Sequence, residues 1–175
     1  MRFHLIDRVE EIEPGKSIRA RKVTSLSEEY WEPAASGDGA ATGAGSPAAA
    51  GSDAGQGGER LVMPPPFAFE ALCQAGTWLI MITTERRKRA ALLSVGSVSW
   101  HRDVGPGEIL ELIGEVDSFG EDTAVISGRV ESDGELVLEA SEIMCALIDA
   151  DDLADLEDTR RLGEMLTRGV EGAAS

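Results

Sequence analysis

One stretch predicts the centre of the fold: Leu61-Val62-Met63-Pro64-Pro65-Pro66-Phe67-Ala68-Phe69-Glu70-Ala71-Leu72-Cys73-Gln74. Proline is tolerated in the first turn of a helix, where its missing N–H would have no partner within the helix. From Phe67 to about Glu85 the chain is apolar on nearly every face, which predicts a helix that is buried all round. Glu70 is the exception, and an ionised acid in a core needs a partner or a function.

Strand patterns precede and follow this helix. Ser17 to Leu26 alternates, with Ile18, Ala20 and Lys22 on one face. Ser132-Asp133-Gly134 has the composition of a hairpin turn. Further strands are predicted over 92–100, 109–117, 123–131 and 136–148. Consecutive antiparallel strands with one buried helix indicate the α+β class, with a curved sheet wrapped around a long central helix.

Two segments differ in composition from the rest of the chain. Residues 34–58 are small or polar, and they predict a flexible low-complexity loop that interrupts a single domain over 1–150. Residues 151–175 form an acidic tail, in which the leucines of 152–167 recur at helical spacing. We expect this segment to be a solvated tail that packs loosely on the sheet. The alternative is that its amphipathic helix docks a partner.

Charge and composition exclude several functions. The net charge of −16 argues against nucleic-acid binding and against adsorption to anionic lipid. The chain has neither a signal-peptide pattern nor an apolar run of the roughly 20 residues that span a bilayer, so we expect a soluble, cytoplasmic protein. Cys73 and Cys145 lie in apolar runs outside any metal-like spacing; we expect free thiols, and neither a metal nor a cofactor.

Three stretches, with the final strand 140–147, resemble the 3-hydroxyacyl-acyl-carrier-protein dehydratases of the hotdog-fold family. Leu5-Ile6-Asp7-Arg8-Val9 through Ile12-Glu13-Pro14-Gly15-Lys16 is similar to the family's first strand and turn. Val62-Met63-Pro64 with Glu70-Ala71-Leu72-Cys73-Gln74 resembles its active-site helix. Trp100-His101-Arg102-Asp103-Val104-Gly105-Pro106-Gly107-Glu108 is similar to its motif before a strand. The resemblance implies a hotdog dimer of fatty acid or polyketide-type metabolism.

In that family a His ahead of the Met-Pro pair acts on the α-proton, and an acid on the helix handles the departing hydroxyl. A backbone N–H just after Met-Pro polarises the thioester carbonyl. The His and the acid come from different subunits. Glu70 matches the acid, because it lies seven positions after Met63.

The other two parts of the family mechanism depart from the pattern. Seven positions before Met63 the residue is Gln56, whose amide is not basic. Pro65 and Pro66 follow Met-Pro where the family has Gly, and neither has an N–H. Of the two histidines, His4 and His101, the second is a weak alternative base, provided that it reaches the partner's acid. The resemblance therefore implies a catalytically degenerate dehydratase-like protein, either an acyl- or carrier-binding protein or the partner subunit of a dehydratase.

The alternative is an active dehydratase or thioesterase that uses Glu70 with a non-standard base. By position, the resemblance implies substrate contacts from Met63, Pro65, Phe67 and Gln74. Acyl carrier proteins are acidic, so we expect docking at the basic cluster Arg86, Arg87, Lys88 and Arg89. The partners expected are an acyl thioester or carrier protein and a second hotdog subunit, identical or different, with higher oligomers open; neither nucleic acid nor membrane is expected.

Overall fold

The computed structural model describes residues 4–34, 60–150 and 156–170. Its strands are β1 (Arg8–Glu13), β2 (Ser17–Val23), β3 (Glu32–Pro33), β4 (Leu61–Val62), β5 (Lys88–Trp100), β6 (Ile109–Phe119), β7 (Thr123–Ser132) and β8 (Glu135–Asp149). Its helices are α1 (Pro65–Thr83) and α2 (Leu156–Leu166). The predicted loop of 34–58, apart from Ala34, lies outside the described residues, and so does Gln56.

Six strands form one antiparallel sheet in the order β1-β2-β6-β7-β8-β5. The short strands β3 and β4 form a separate pair, with Glu32 opposite Val62. The helix α1 packs against the six-stranded sheet. Ile18, Ala20 and Lys22, which the alternation of β2 places on one face, are all buried. The α+β class and the sheet around a central helix are confirmed.

The prediction that α1 is buried on every face is wrong. One stripe of the helix is open or half-buried, and Glu70 is exposed. The helix also starts at Pro65, inside the proline run, and ends at Thr83 rather than near Glu85. Apolar composition alone cannot distinguish a face that packs on the sheet from a face that is apolar for another reason.

The C-terminal segment packs more closely than we predicted. Thr159 and Leu166 of α2 are 8% and 5% exposed, and Gly163 is also buried. A Cβ at position 163 would lie 3.0 Å from Cζ3 of Trp78 on α1. The described part of α2 is therefore a docked helix rather than a loosely packed tail. Neither described helix has the length and apolar character to span a membrane.

Candidate active site at the start of α1

Prolines occupy the start of α1. Pro64 is the N-cap residue, and Pro65 and Pro66 form the first helical positions, both exposed to solvent. Because proline has no N–H, the first backbone donor after Met63 is that of Phe67. Phe67 donates this N–H to the carbonyl oxygen of Pro64 at 3.0 Å. The backbone that polarises a thioester in the family is thus differently built here.

Met63 is fixed in place just before these prolines. Its side chain is 3% exposed, and its N–H donates to the carbonyl oxygen of Val104 at 2.8 Å. Val104 belongs to the loop between β5 and β6 and is itself buried. Before Met63 in the chain, β4 pairs with β3, and one further hydrogen bond extends this pair: the N–H of Ala34 donates to the carbonyl oxygen of Arg60 at 2.7 Å. Backbone contacts therefore hold the Met-Pro pair between two loops.

Glu70 is linked to the N-terminal segment through Gln74. Nε2 of Gln74 donates to Oε1 of Glu70 at 2.9 Å, one helical turn away. Oε1 of Gln74 accepts a hydrogen bond from the N–H of Leu5 at 2.9 Å. The two predicted site residues are thus brought together on the open stripe of α1. The other three predicted substrate contacts lie just before α1 or in its first turn: Met63, Pro65 and Phe67.

The two histidines have different surroundings. Nε2 of His101 lies 3.2 Å from Oε1 of Glu139 on β8, and both side chains are exposed. His101 therefore has an acidic partner within its own chain that is not Glu70. His4 lies in a cleft of about 310 Å³ between the N-terminal segment, α1 and α2, which Gln74 also lines. The sequence did not single out His4, because the packing of residue 4 beside α1 is non-local.

An apolar pocket lies between α1 and the sheet on the β5 side. It has a volume of about 40 Å³, close to the space of a single water molecule and much too small for an acyl chain. Cys73 lines this pocket. The pKa of its thiol is raised to about 12, first by burial and then by the negative charge of Glu70 and the neighbouring Cys145. The lining residues are Leu72, Cys73, Gly76, Thr77, Ala90, Leu92, Ile126, Ile143 and Cys145.

The predicted docking cluster lies in the α1–β5 turn and at the start of β5. Glu85 and Arg86 adopt left-handed backbone conformations with φ of 52° and 63°. Lys88 and Arg89 are the first residues of β5, whereas Arg86 and Arg87 lie in the turn that follows α1. Arg87 is exposed, and Nζ of Lys88 lies 2.9 Å from Oδ1 of Asp149.

A buried ionic network supports the start of α1, and it was not predicted from the sequence. Lys22 is 3% exposed, and its ammonium group donates to Glu28 and to the carbonyl oxygen of Val23. The hydroxyl of Tyr30 also donates to Glu28. The ring of Tyr30 stacks on Phe67 with 4.8 Å between centroids. The alternation of β2, which groups Lys22 with two apolar residues, could have predicted this network, because a buried cation requires an acidic partner.

A second acid, Glu108, organises the loop before β6. Its carboxylate accepts hydrogen bonds from the N–H of Gly105 at 2.6 Å and from Oγ of Ser132 at 2.9 Å, and it pairs with Nη1 of Arg102 at 2.9 Å. Burial alone would raise the pKa of Glu108, but these three donors outweigh burial and lower it. The network fixes the loop that also holds Met63.

The fold and this site define a class of protein: a hotdog-fold protein with an acid on the central helix. A dehydratase heterocomplex from Xenorhabdus doucetiae has the same fold, with a TM-score of 0.55, 14% identity, and coverage of 90% of this chain and 88% of that one. No protein-family profile matches the chain.

Two curated relatives carry the comparison further. The FabZ 3-hydroxyacyl-[acyl-carrier-protein] dehydratase of Bacillus licheniformis is 30% identical, over 83% of this chain and 85% of the relative. The FabZ protein of Syntrophotalea carbinolica is 27% identical, over 79% of this chain and 80% of the relative. The chain belongs to the FabZ family of 3-hydroxyacyl-[acyl-carrier-protein] dehydratases.

Proposed function

We propose that this chain is a FabZ-type subunit that binds acyl thioesters or acyl carrier proteins without dehydrating them itself. The observation that carries the proposal is the position of the histidines. The whole chain has two, at positions 4 and 101. Whichever residue aligns with the family's base ahead of Met63, whether Gln56 or a neighbour, it is not a histidine.

The prolines support the same conclusion independently. A thioester carbonyl beside Met63 finds no N–H on residues 64–66, and that of Phe67 is donated to Pro64. Loss of a general base typically costs about 10²–10⁴ in rate, and loss of an oxyanion donor about 10²–10³. Either loss is large enough to leave Glu70 without a useful dehydration rate.

A second hotdog subunit is the partner that the open edge of β5 favours. Among the described residues β5 pairs with β8 alone, so its other edge is available to another strand. Leu92 and Leu93 on this strand are 53% and 58% exposed. Pairing with a second subunit would cover these leucines and enlarge the apolar pocket that Leu92 lines. We infer a homodimer, or a heterodimer with an active subunit that supplies the missing base.

The basic cluster is the proposed docking surface for the carrier protein. The chain is strongly acidic overall, with a net charge of −16, so a local excess of cations is needed to attract an acidic partner. Arg86, Arg87, Lys88 and Arg89 are consecutive and lie next to the end of α1. Reversing the charge of Arg87 should weaken carrier binding about tenfold, whereas Arg129→Glu on the outer sheet face serves as the matched control.

A turnover assay with a 3-hydroxyacyl thioester tests the central proposal. We expect no dehydration above the background rate, together with acyl-thioester binding that is measurable by calorimetry. Robust dehydration that Glu70→Ala abolishes would overturn the proposal. Glu121→Ala, which removes an exposed carboxylate from the β6–β7 turn, is the control for a general effect of lost charge.

The exposed carboxylate of Glu70 favours one second candidate, a thioesterase in which Glu70 activates water. Its oxygen accepts a hydrogen bond from Gln74 and remains open to solvent. The measurement is release of free thiol from acyl-coenzyme A by the wild-type protein and by Glu70→Gln. Hydrolysis that disappears in Glu70→Gln while binding persists supports the thioesterase and excludes the purely binding subunit.

A further inference from the structure

The helix α2 lies against the surface that carries the basic cluster. Nη2 of Arg89 donates to Oγ1 of Thr159 at 3.1 Å. Gly163 lies against the ring of Trp78, and a Cβ built on Gly163 would also approach Nε of Arg86 to 3.7 Å. The end of β8 adds a third contact, between Asp149 and Lys88. Lys88 and Arg89 therefore have contacts with the C-terminal part of the same chain, and Arg86 lies beside Gly163.

These contacts reduce what the cluster can offer to another molecule. Arg87 remains open, with its side chain 75% exposed. Lys88 is 27% exposed and neutralised in part by Asp149. The first turn of α2 also contains two exposed acidic residues, Glu157 and Asp158, which precede Thr159 in the chain. An acidic carrier protein would meet a surface that a helix with an acidic first turn already covers.

We propose that α2 occupies the carrier-docking surface and is displaced when an acidic acyl carrier protein binds. This inference rests on the proposed carrier-binding function. The partner is defined by its chemistry: an acidic helical surface that competes with Thr159, Asp149 and the first turn of α2 for the guanidinium and ammonium groups. The surface that it takes consists of Arg86, Arg87, Lys88, Arg89 and the part of the Trp78 ring that Gly163 of α2 now covers.

The construction of α2 is consistent with displacement at low cost. The helix has 11 residues, and a helix of that length is marginally stable without its packing partners. Its contact with the Trp78 ring is made at Gly163, which has no side chain to interlock, and Met165 nearby is 65% exposed. Thr159 and Leu166 are the buried side chains that its release would uncover. Release of α2 would thus unfold it, and amide exchange can detect that change.

Hydrogen exchange of the unmodified 175-residue chain, with and without a bacterial acyl carrier protein in its holo form, provides the first test. We expect faster exchange of the amides of residues 159–167 in the saturated complex. A complex in which these amides exchange at an unchanged or slower rate overturns the inference and leaves the carrier-binding function standing. Failure to form any complex at millimolar carrier overturns both.

A variant that wedges α2 away provides the second test. In Gly163→Leu the new side chain collides with Trp78, so α2 should be released. If α2 covers the docking surface in about 90% of the wild-type molecules, its release should raise the carrier affinity about tenfold. Met165→Leu changes an exposed neighbour in the same helix and should leave the affinity unchanged. Faster amide exchange in Gly163→Leu with unchanged carrier affinity would show that α2 does not compete.

Discussion

Gln74 holds Glu70 and Leu5 with opposite ends of one amide: its Nε2 lies 2.9 Å from Oε1 of Glu70, and its Oε1 accepts the N–H of Leu5 at 2.9 Å. Because each end of the amide has a fixed partner, the side chain cannot rotate without losing both hydrogen bonds. Glu70, the proposed acid, is therefore oriented by a residue that also ties the N-terminal segment to α1.

Gln74→Met should lower the free energy of unfolding by about 1–3 kcal/mol, because the partly buried N–H of Leu5 loses its acceptor. Urea denaturation measures this change. Gln74→Glu keeps an acceptor for Leu5 but loses the donor to Glu70 and adds like-charge repulsion one helical turn away, so at pH 7 it should also be less stable than the wild-type protein. Equal stability of Gln74→Met and the wild-type protein would show that water replaces the amide.

The thiol of Cys73 should report on the charge of Glu70. Burial contributes most to raising the pKa of Cys73 to about 12, and the carboxylate of Glu70 contributes next. In a Cys145→Ala background, Glu70→Gln should therefore accelerate alkylation of Cys73 by iodoacetamide at pH 8 about two- to fivefold. Glu115→Gln on the outer sheet face is the control. A slower reaction after Glu70→Gln would contradict the effect of the carboxylate.

The elements of the fold could be predicted because they depend on local periodicity. The alternation of β2 placed Lys22 on the same face as Ile18 and Ala20, and the run from Phe67 indicated α1 within two residues of its bounds. The burial of Glu70 was predicted wrongly, because the stripe that α1 leaves open depends on the position of the sheet and of α2. No pattern in the sequence specifies that position.

The candidate site was predictable only in part, for the same physical reason. Glu70 and the prolines lie on one continuous segment, so their spacing was sufficient to identify them. The stacking of Tyr30 on Phe67 and the contact of Arg89 with Thr159 join residues far apart in the chain. Such contacts follow from tertiary packing, and the pattern of a single sequence gives no signal for them.

The carboxylate of Glu108 should make stability depend on pH. Its pKa is lowered in the folded state, so its contribution is present above the unfolded pKa of about 4.3 and is lost as the pH falls through the folded value. Glu108→Gln should cost about 1 kcal/mol at pH 7, since partial exposure screens the interactions. The difference from the wild-type protein should narrow towards pH 3 in urea titrations. The exposed Glu111→Gln should show no such convergence.

Gly128 on β7 should be the glycine whose replacement disturbs the α1–sheet contact most directly. A Cβ at this position would lie 2.5 Å from the carbonyl oxygen of Ile113 and 2.9 Å from Cδ1 of Leu72 on α1. The first contact is with backbone and cannot be relieved by a rotamer change, so Gly128→Ala should cost about 3 kcal/mol. Gly105→Ala is the matched control, because its nearest contact is an ordinary 3.5 Å from Oε1 of Glu108. Thermal unfolding compares the stability of the two variants. A smaller loss of stability in Gly128→Ala than in Gly105→Ala would mean that β6 and α1 move apart to admit the methyl group at little cost.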